Sequence, residues 1–303
     1  MGLLLGAPIF DENDENILSN MGIDLMKYFN KYIYVSADIE YNNSKIEATS
    51  LGQELLNVPE NCKEISTCEK PELSYFNDKF FKPCIPVKLI GCIDHWPAKT
   101  KWTNLDYFIK IAGERTIPVE IGAHYVHENW TQKLMTMREF IMNYVCKEYD
   151  EESQRGYLAQ HTLFDQLPQL RDDIIIPDYC ALTDDDETNV EPEINAWFGP
   201  KGTLSPLHYD PKHNLLTQVI GSKQIILFSP DDSSYLYPYD DKLLFNTSQV
   251  DPISPNLKDY PEFGKAIKWY CVLKPGEMLY IPPKWWHHVV SLEKSFSVSF
   301  WWR

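Results

Sequence analysis

The chain has no cationic excess: 28 Lys and Arg stand against 44 Asp and Glu, a formal charge of −16. Proteins that wrap a phosphate backbone gain affinity by neutralising it and releasing counterions, so direct nucleic-acid binding is not expected. An acidic surface attracts basic proteins and peptides instead. The seven cysteines are scattered and odd in number, and no CxxC pair occurs. That argues against a zinc or disulfide framework and for a reducing compartment. No apolar run reaches the roughly 18 residues that a membrane-spanning helix needs. The opening MGLLLGAPIF has no basic leader and no convincing cleavage site, so no secretion signal is expected. Gly6 stands where a myristoylation motif needs Ser or Thr, which disfavours that anchor. Nucleus and/or cytoplasm is the expected residence. Glycine is scarce, with 13 Gly against 21 Pro, which suggests many loops and few long helices.

What is present is an ordinary globular composition over 303 residues, 44% hydrophobic and rich in aromatics at 14%. Residues 1–55 read as helical, because Ile17, Met21, Leu25, Met26 and Phe29 recur on one face. Residues 56–75 carry prolines and no period and read as a linker. Residues 76–303 read as the functional domain. Within it Ile85–Ile90 and Arg115–Ile121 read as strands, and Asn104–Ala112 and Met137–Val145 as helices. The acidic stretches Glu148–Glu152 and Asp184–Glu193 read as solvated loops or as docking sites for a basic substrate. From Asn195 onward short strands follow one another. Leu215–Ile220 and Lys223–Phe228 flank Gly221-Ser222, a pair suited to a hairpin turn. Ser295–Phe300 alternates serines with Phe296, Val298 and Phe300, so its two faces differ. Many short antiparallel strands predict a mainly β fold, a double-sheet jelly roll with flanking helices.

The segment Ser205-Pro206-Leu207-His208-Tyr209-Asp210 holds a metal-site pattern. On an extended strand His208 and Asp210 face the same side. A second histidine, His287 or its neighbour His288, lies in another strand-like run. Two imidazoles and one carboxylate leave coordination positions open, which suits a non-haem Fe(II) oxygenase. A closed structural zinc site would need four His or Cys ligands. Lys223 lies among Val219, Ile220, Ile225 and Ile226. Buried, it needs an anion such as a 2-oxoacid carboxylate; the alternative is that it points outward beside Ser222.

The segments AWFGPKGTLSPLHYDPKHNLLTQVIGSK, LKPGEMLYIPPKWWHHVV and SFSVSFWW resemble the JmjC family of Fe(II)- and 2-oxoglutarate-dependent dioxygenases. PVKLIGCIDHWPA, RTIPVEIGAHY, LMTMREFI, GYLAQHTLFDQLPQL and FNTSQVD bring the resemblance closer, to one branch described as lysine demethylases and arginyl hydroxylases. It covers about residues 75–303 and extends to Met1–Pro8, so the chain reads as N-terminally short for that branch. The resemblance implies a cupin-like double-stranded β-helix, with Fe(II), 2-oxoglutarate and O2 as cofactor and cosubstrates. His208, Asp210 and His287 would be the catalytic metal ligands. Tyr157, Ser205, Asn214, Lys223 and Trp301 would contact 2-oxoglutarate. Glu120, Tyr125, Gln160 and Trp197 would contact substrate. Taken singly, Tyr157 and Trp301 also fit core aromatics, Ser205 a turn, Asn214 a loop cap and Glu120 an exposed strand position. His288 stands where the family usually has an aromatic.

A carboxylate such as Glu120 can pair bidentately with a guanidinium. With the arginyl hydroxylases of the resembled branch, this makes hydroxylation of protein arginine, at C3, the first reading. N-methyl-lysine demethylation and cleavage of methylated-arginine histone tails are the alternatives, and a non-catalytic cupin is a minor one. The expected partner is a basic or Arg-containing protein, with histone tails one possibility.

Overall fold

The computed structural model describes residues 62–147, 154–183 and 191–303. The helical segment expected over 1–55, the stretch Glu148–Glu152 and most of Asp184–Glu193 lie outside the described residues. Two sheets dominate. The smaller runs in the order β1 (Lys63–Glu64), β11 (Trp269–Leu273), β10 (Lys223–Phe228), β13 (Trp286–Ser291), β8 (Leu204–Tyr209). The larger begins β2 (Thr67–Glu69), β3 (Val87–Ile90), β12 (Met278–Ile281), β9 (His213–Ile220), β14 (Ser295–Trp302). It continues through β7 (Glu193–Gly199), β6 (Gly156–His161), β4 (Thr116–Ile121) and β5 (Thr131–Thr136). The expected mainly β jelly roll is therefore the fold observed.

Strand β14 shows how the layers form. Its apolar residues Phe296, Val298 and Phe300 are fully buried against helices on the outside of the larger sheet. Phe296 packs on Trp102 at 4.5 Å and on Phe198 at 4.8 Å between ring centroids. Each such burial is worth about 1.5–3 kcal/mol. The serines on the other face are buried too, and each finds a partner. Ser297 donates to Gln218 Oε1 at 2.7 Å, Ser295 accepts from Gln218 Nε2 at 2.9 Å, and Ser299 accepts from Trp197 Nε1 at 2.8 Å. Pairing offsets the desolvation of buried hydroxyls.

Helix α1 (Leu105–Ala112) begins where Asn104 accepts from the Asp106 N–H, and it buries Leu105, Phe108 and Ala112. The Met137–Val145 helix opens with a capping box between Thr136 and Glu139 and finishes as a π-helical turn. Both match the periodicity of the sequence. Two expectations need correction. The segment read as a linker, where it is described, holds β1 and β2, which pair in parallel with β11 and β3. Parallel edge pairing to distant strands leaves no local periodic signal. The turn at Gly221-Ser222 joins no hairpin, because β9 pairs with β12 and β14 while β10 pairs with β11 and β13. The chain crosses there from one sheet to the other. Gly221 has φ +67°, and a Cβ would meet the Lys294 carbonyl oxygen at 2.0 Å, so the crossing requires glycine.

Candidate active site

His208 near the end of β8 and His287 on β13 are direct partners in the antiparallel register. Their ring centroids are 4.2 Å apart. Asp210 follows β8, with Oδ2 3.5 Å from His287 Nε2 and 4.0 Å from His208 Nε2. One ligand atom from each residue lies within 4.8 Å of the others. His208 Nδ1 donates to the Pro206 carbonyl at 2.7 Å, and His287 Nδ1 to the Trp285 carbonyl at 3.0 Å. A carbonyl only accepts, so each ring carries a proton on Nδ1 and turns Nε2 toward Asp210. Burial, and then the neighbouring His287, lower the His208 pKa to about 4. For Asp210 burial pulls upward, but the His287 hydrogen bond and both imidazoles outweigh it and keep the carboxyl below its usual range. Two imidazoles and a carboxylate are brought together, a donor set that can hold Fe(II). His288 points to the opposite face of β13, so the choice between adjacent histidines falls to His287.

Lys223, the first residue of β10, is 2% exposed. It faces the same cavity as the triad and not outward beside Ser222. Its Nζ donates to Tyr157 Oη at 3.2 Å, and no carboxylate among the described residues pairs with it. Burial lowers its pKa to about 7. Burial also raises the Tyr157 phenol, and a Ser205 hydrogen bond acts the other way. Asn214 Oδ1 and Trp301 Nε1 are buried without partners. All five residues line one cavity with the triad, between the two sheets. A buried ammonium with unpaired polar atoms beside it is what an anionic ligand would complete.

On the substrate side the expected residues divide. Glu120 lies on β4 in a small cleft with His124, Trp130 and Leu204. Its Oε2 accepts from Trp130 Nε1 at 3.2 Å. Burial raises its pKa, and the Trp130 bond partly offsets this. Tyr157 lines both this cleft and the metal cavity, so the two adjoin. Tyr125 hydrogen-bonds Thr247 Oγ1 at 3.1 Å, its ring centroid 6.4 Å from that of His208. Burial pushes its phenol to about 12. Gln160 is exposed with φ +46° at an irregularity in the β6–β7 pairing, and it lines neither cavity. Trp197 lines the metal cavity, anchored to Ser299, instead of walling the Glu120 cleft. The resemblance alone gives both as substrate contacts, and it carries no information on the irregular pairing at Gln160 or on which cavity Trp197 lines.

A family profile described as a cupin-like domain matches residues 73–303. "Lysine-specific demethylase 8" of Xenopus tropicalis is 49% identical over 232 residues, 77% of this chain and 51% of that protein. "Jumonji C domain-containing protein 5" of Drosophila melanogaster is 43% identical over 285 residues, 94% of this chain and 69% of its own length. "Lysine-specific demethylase JMJ30" of Arabidopsis thaliana is 44% identical over 241 residues, 80% of this chain and 55% of its own. The chain belongs to the cupin-like JmjC family. It spans about half the length of the Xenopus and Arabidopsis relatives.

The JmjC resemblance read from the sequence is thus supported at the level of family and of branch. The inward Nε2 atoms fit a divalent iron, and the unpaired Lys223 fits a dicarboxylate cosubstrate. Sequence reasoning missed Trp130, which binds Glu120, and Thr247, which binds Tyr125 and forms an isolated bridge to His208. Both come from loops with no periodic signal. Among the described residues no helix is long and apolar enough to cross a membrane.

Proposed function

We propose that the chain is an Fe(II)- and 2-oxoglutarate-dependent oxygenase acting on a basic side chain of a protein. One observation carries this: a two-His, one-carboxylate triad shares a cavity with a buried lysine that lacks a counter-ion. His208, Asp210 and His287 would hold the metal. Lys223, supported by Tyr157, would bind the distal carboxylate of 2-oxoglutarate, with Ser205, Asn214 and Trp301 around it. When bound, the iron couples O2 to oxidative decarboxylation of 2-oxoglutarate, giving succinate, CO2 and one hydroxylated substrate carbon. The protein orients the reactants and excludes competing reactions. An intact triad with its lysine argues against a non-catalytic cupin.

N-methyl-lysine demethylation is our first reading, ahead of the arginine hydroxylation read from the sequence, and the names of the relatives support that order. Hydroxylating an N-methyl carbon gives a hemiaminal that releases formaldehyde. Arginine C3 hydroxylation remains as a second reading because Glu120 sets a half-buried carboxylate beside the metal cavity, suited to a guanidinium. The charge of −16 suits basic substrates such as histone tails. Nuclear or cytoplasmic residence goes with this reading.

The test is intact-mass spectrometry of methyl-lysine and arginine peptides after incubation with enzyme, Fe(II), ascorbate and 2-oxoglutarate. A loss of about 14 Da from methyl-lysine, absent with His208→Ala, supports demethylation. A gain of about 16 Da on arginine supports the second reading. Equal 2-oxoglutarate turnover by wild type and His208→Ala overturns the site.

A further inference from the structure

A second cavity lies behind the metal site, on the outer side of the smaller sheet. It has a volume of about 200 Å³ and is lined by His124, Leu204, Tyr239, Asp251 and His288 among others. His124 and Leu204 also line the Glu120 cleft, so they form a shared wall between the two.

Three observations give this cavity a chemistry. His288 is 3% exposed, and its buried Nδ1 has no hydrogen-bond partner. His124 Nδ1 is likewise buried and unpartnered. Such atoms lose water without replacing it, and each is an unfilled hydrogen-bonding position. The lining includes the carboxylate of Asp251, exposed at the surface, and no Lys or Arg. The nearby Lys268 directs its Nζ at the Pro252 carbonyl, 2.9 Å away. Imidazole nitrogens, the Tyr239 hydroxyl and a carboxylate together offer acceptors to a cationic donor.

We propose that this cavity is a specificity subsite for a second basic side chain, Lys or Arg, of the same substrate peptide whose target residue enters beside Glu120. The proposal rests on the protein-oxidising function above. The peptide would cross the wall formed by His124 and Leu204, with its second cation between Asp251 and the two histidines. His288 then has a role that the metal site does not give it.

The experiment measures binding, so its outcome does not depend on turnover. Fluorescein-labelled decapeptides carry one central arginine or methyl-lysine in a Gly/Ala/Ser background. A second arginine is placed in turn at each position from −4 to +4, and affinity is read by anisotropy. At one position or a narrow pair of positions, wild type should bind about tenfold more tightly than the singly basic parent. Asp251→Asn should erase that advantage and Asp251→Lys should invert it, while the singly basic peptide binds all three proteins equally. His288→Phe, with folding checked by its melting curve, should lower the advantage independently. An equal gain at every position, or a gain unchanged in Asp251→Asn, overturns the subsite and leaves only general electrostatic attraction. Failure of the proposed oxygenase function is read separately, as 2-oxoglutarate turnover that survives His208→Ala.

Discussion

Ser205 and His208 stand three residues apart on β8 and yet line the same cavity. In a regular strand, residues three apart face opposite sides. The register explains the exception: His208 pairs with His287, and Ser205 pairs with Val289, so Pro206 and Leu207 together oppose His288. This is a bulge of two residues against one. Proline suits it because it brings no N–H to leave unpaired. The bulge also frees the Pro206 carbonyl to accept the His208 Nδ1 proton.

Replacing His208 or Asp210 by Ala should abolish metal-dependent 2-oxoglutarate turnover without unfolding the protein, since neither sits in an apolar cluster. Co(II) or Fe(II) titration followed by calorimetry checks this. Tight binding retained by His208→Ala would refute the assigned ligand set.

Lys223→Met should lose 2-oxoglutarate binding and raise the stability of the ligand-free protein. The folded pKa of about 7 lies below the ordinary 10.5. Between those values the unfolded chain holds more protons, so ligand-free stability rises with pH from about 7 to 10.5 and is lowest below 7. The Met variant should lack that slope. Affinity for 2-oxoglutarate should run the other way in wild type and fall as pH rises through about 7, because the ammonium is lost. Denaturant melts and isothermal titration at pH 6, 7.5 and 9 read both trends.

Glu120→Gln keeps the shape of the side chain and its bond from Trp130 but removes the charge. If arginine is a substrate, KM for an arginine peptide should rise by about tenfold or more. Turnover of 2-oxoglutarate without peptide should stay within about twofold. Undiminished arginine oxidation would remove Glu120 from the substrate site.

Asp173 is fully buried and accepts from Lys101 Nζ at 2.6 Å, Trp102 Nε1 at 2.9 Å and Tyr107 Oη at 2.6 Å. Asp173→Ala should destabilise the fold by about 2–4 kcal/mol, because it leaves a buried donor unpaired. Urea unfolding measures this. Affinity for 2-oxoglutarate should not change, since Asp173 lies outside the cavity.

The sequence by itself carried the two-faced β14, helix α1, the Met137–Val145 helix and the pattern of His208, Asp210, a later histidine and Lys223, because local period and the chemistry of metal ligands are written in residue order. It could not distinguish a turn that closes a hairpin from one that crosses between sheets, and Gly221-Ser222 was read the wrong way. Nor could it place Gln160 outside the clefts, put Trp197 in the metal cavity, or bring Trp130 to Glu120 and Thr247 to Tyr125. Those depend on which strands pair and where the register slips, which is settled by contacts between residues far apart in the chain. Tertiary structure alone put Lys223 from one sheet and Asn214 and Trp301 from the other around one cavity, because only packing the two sheets face to face encloses that space.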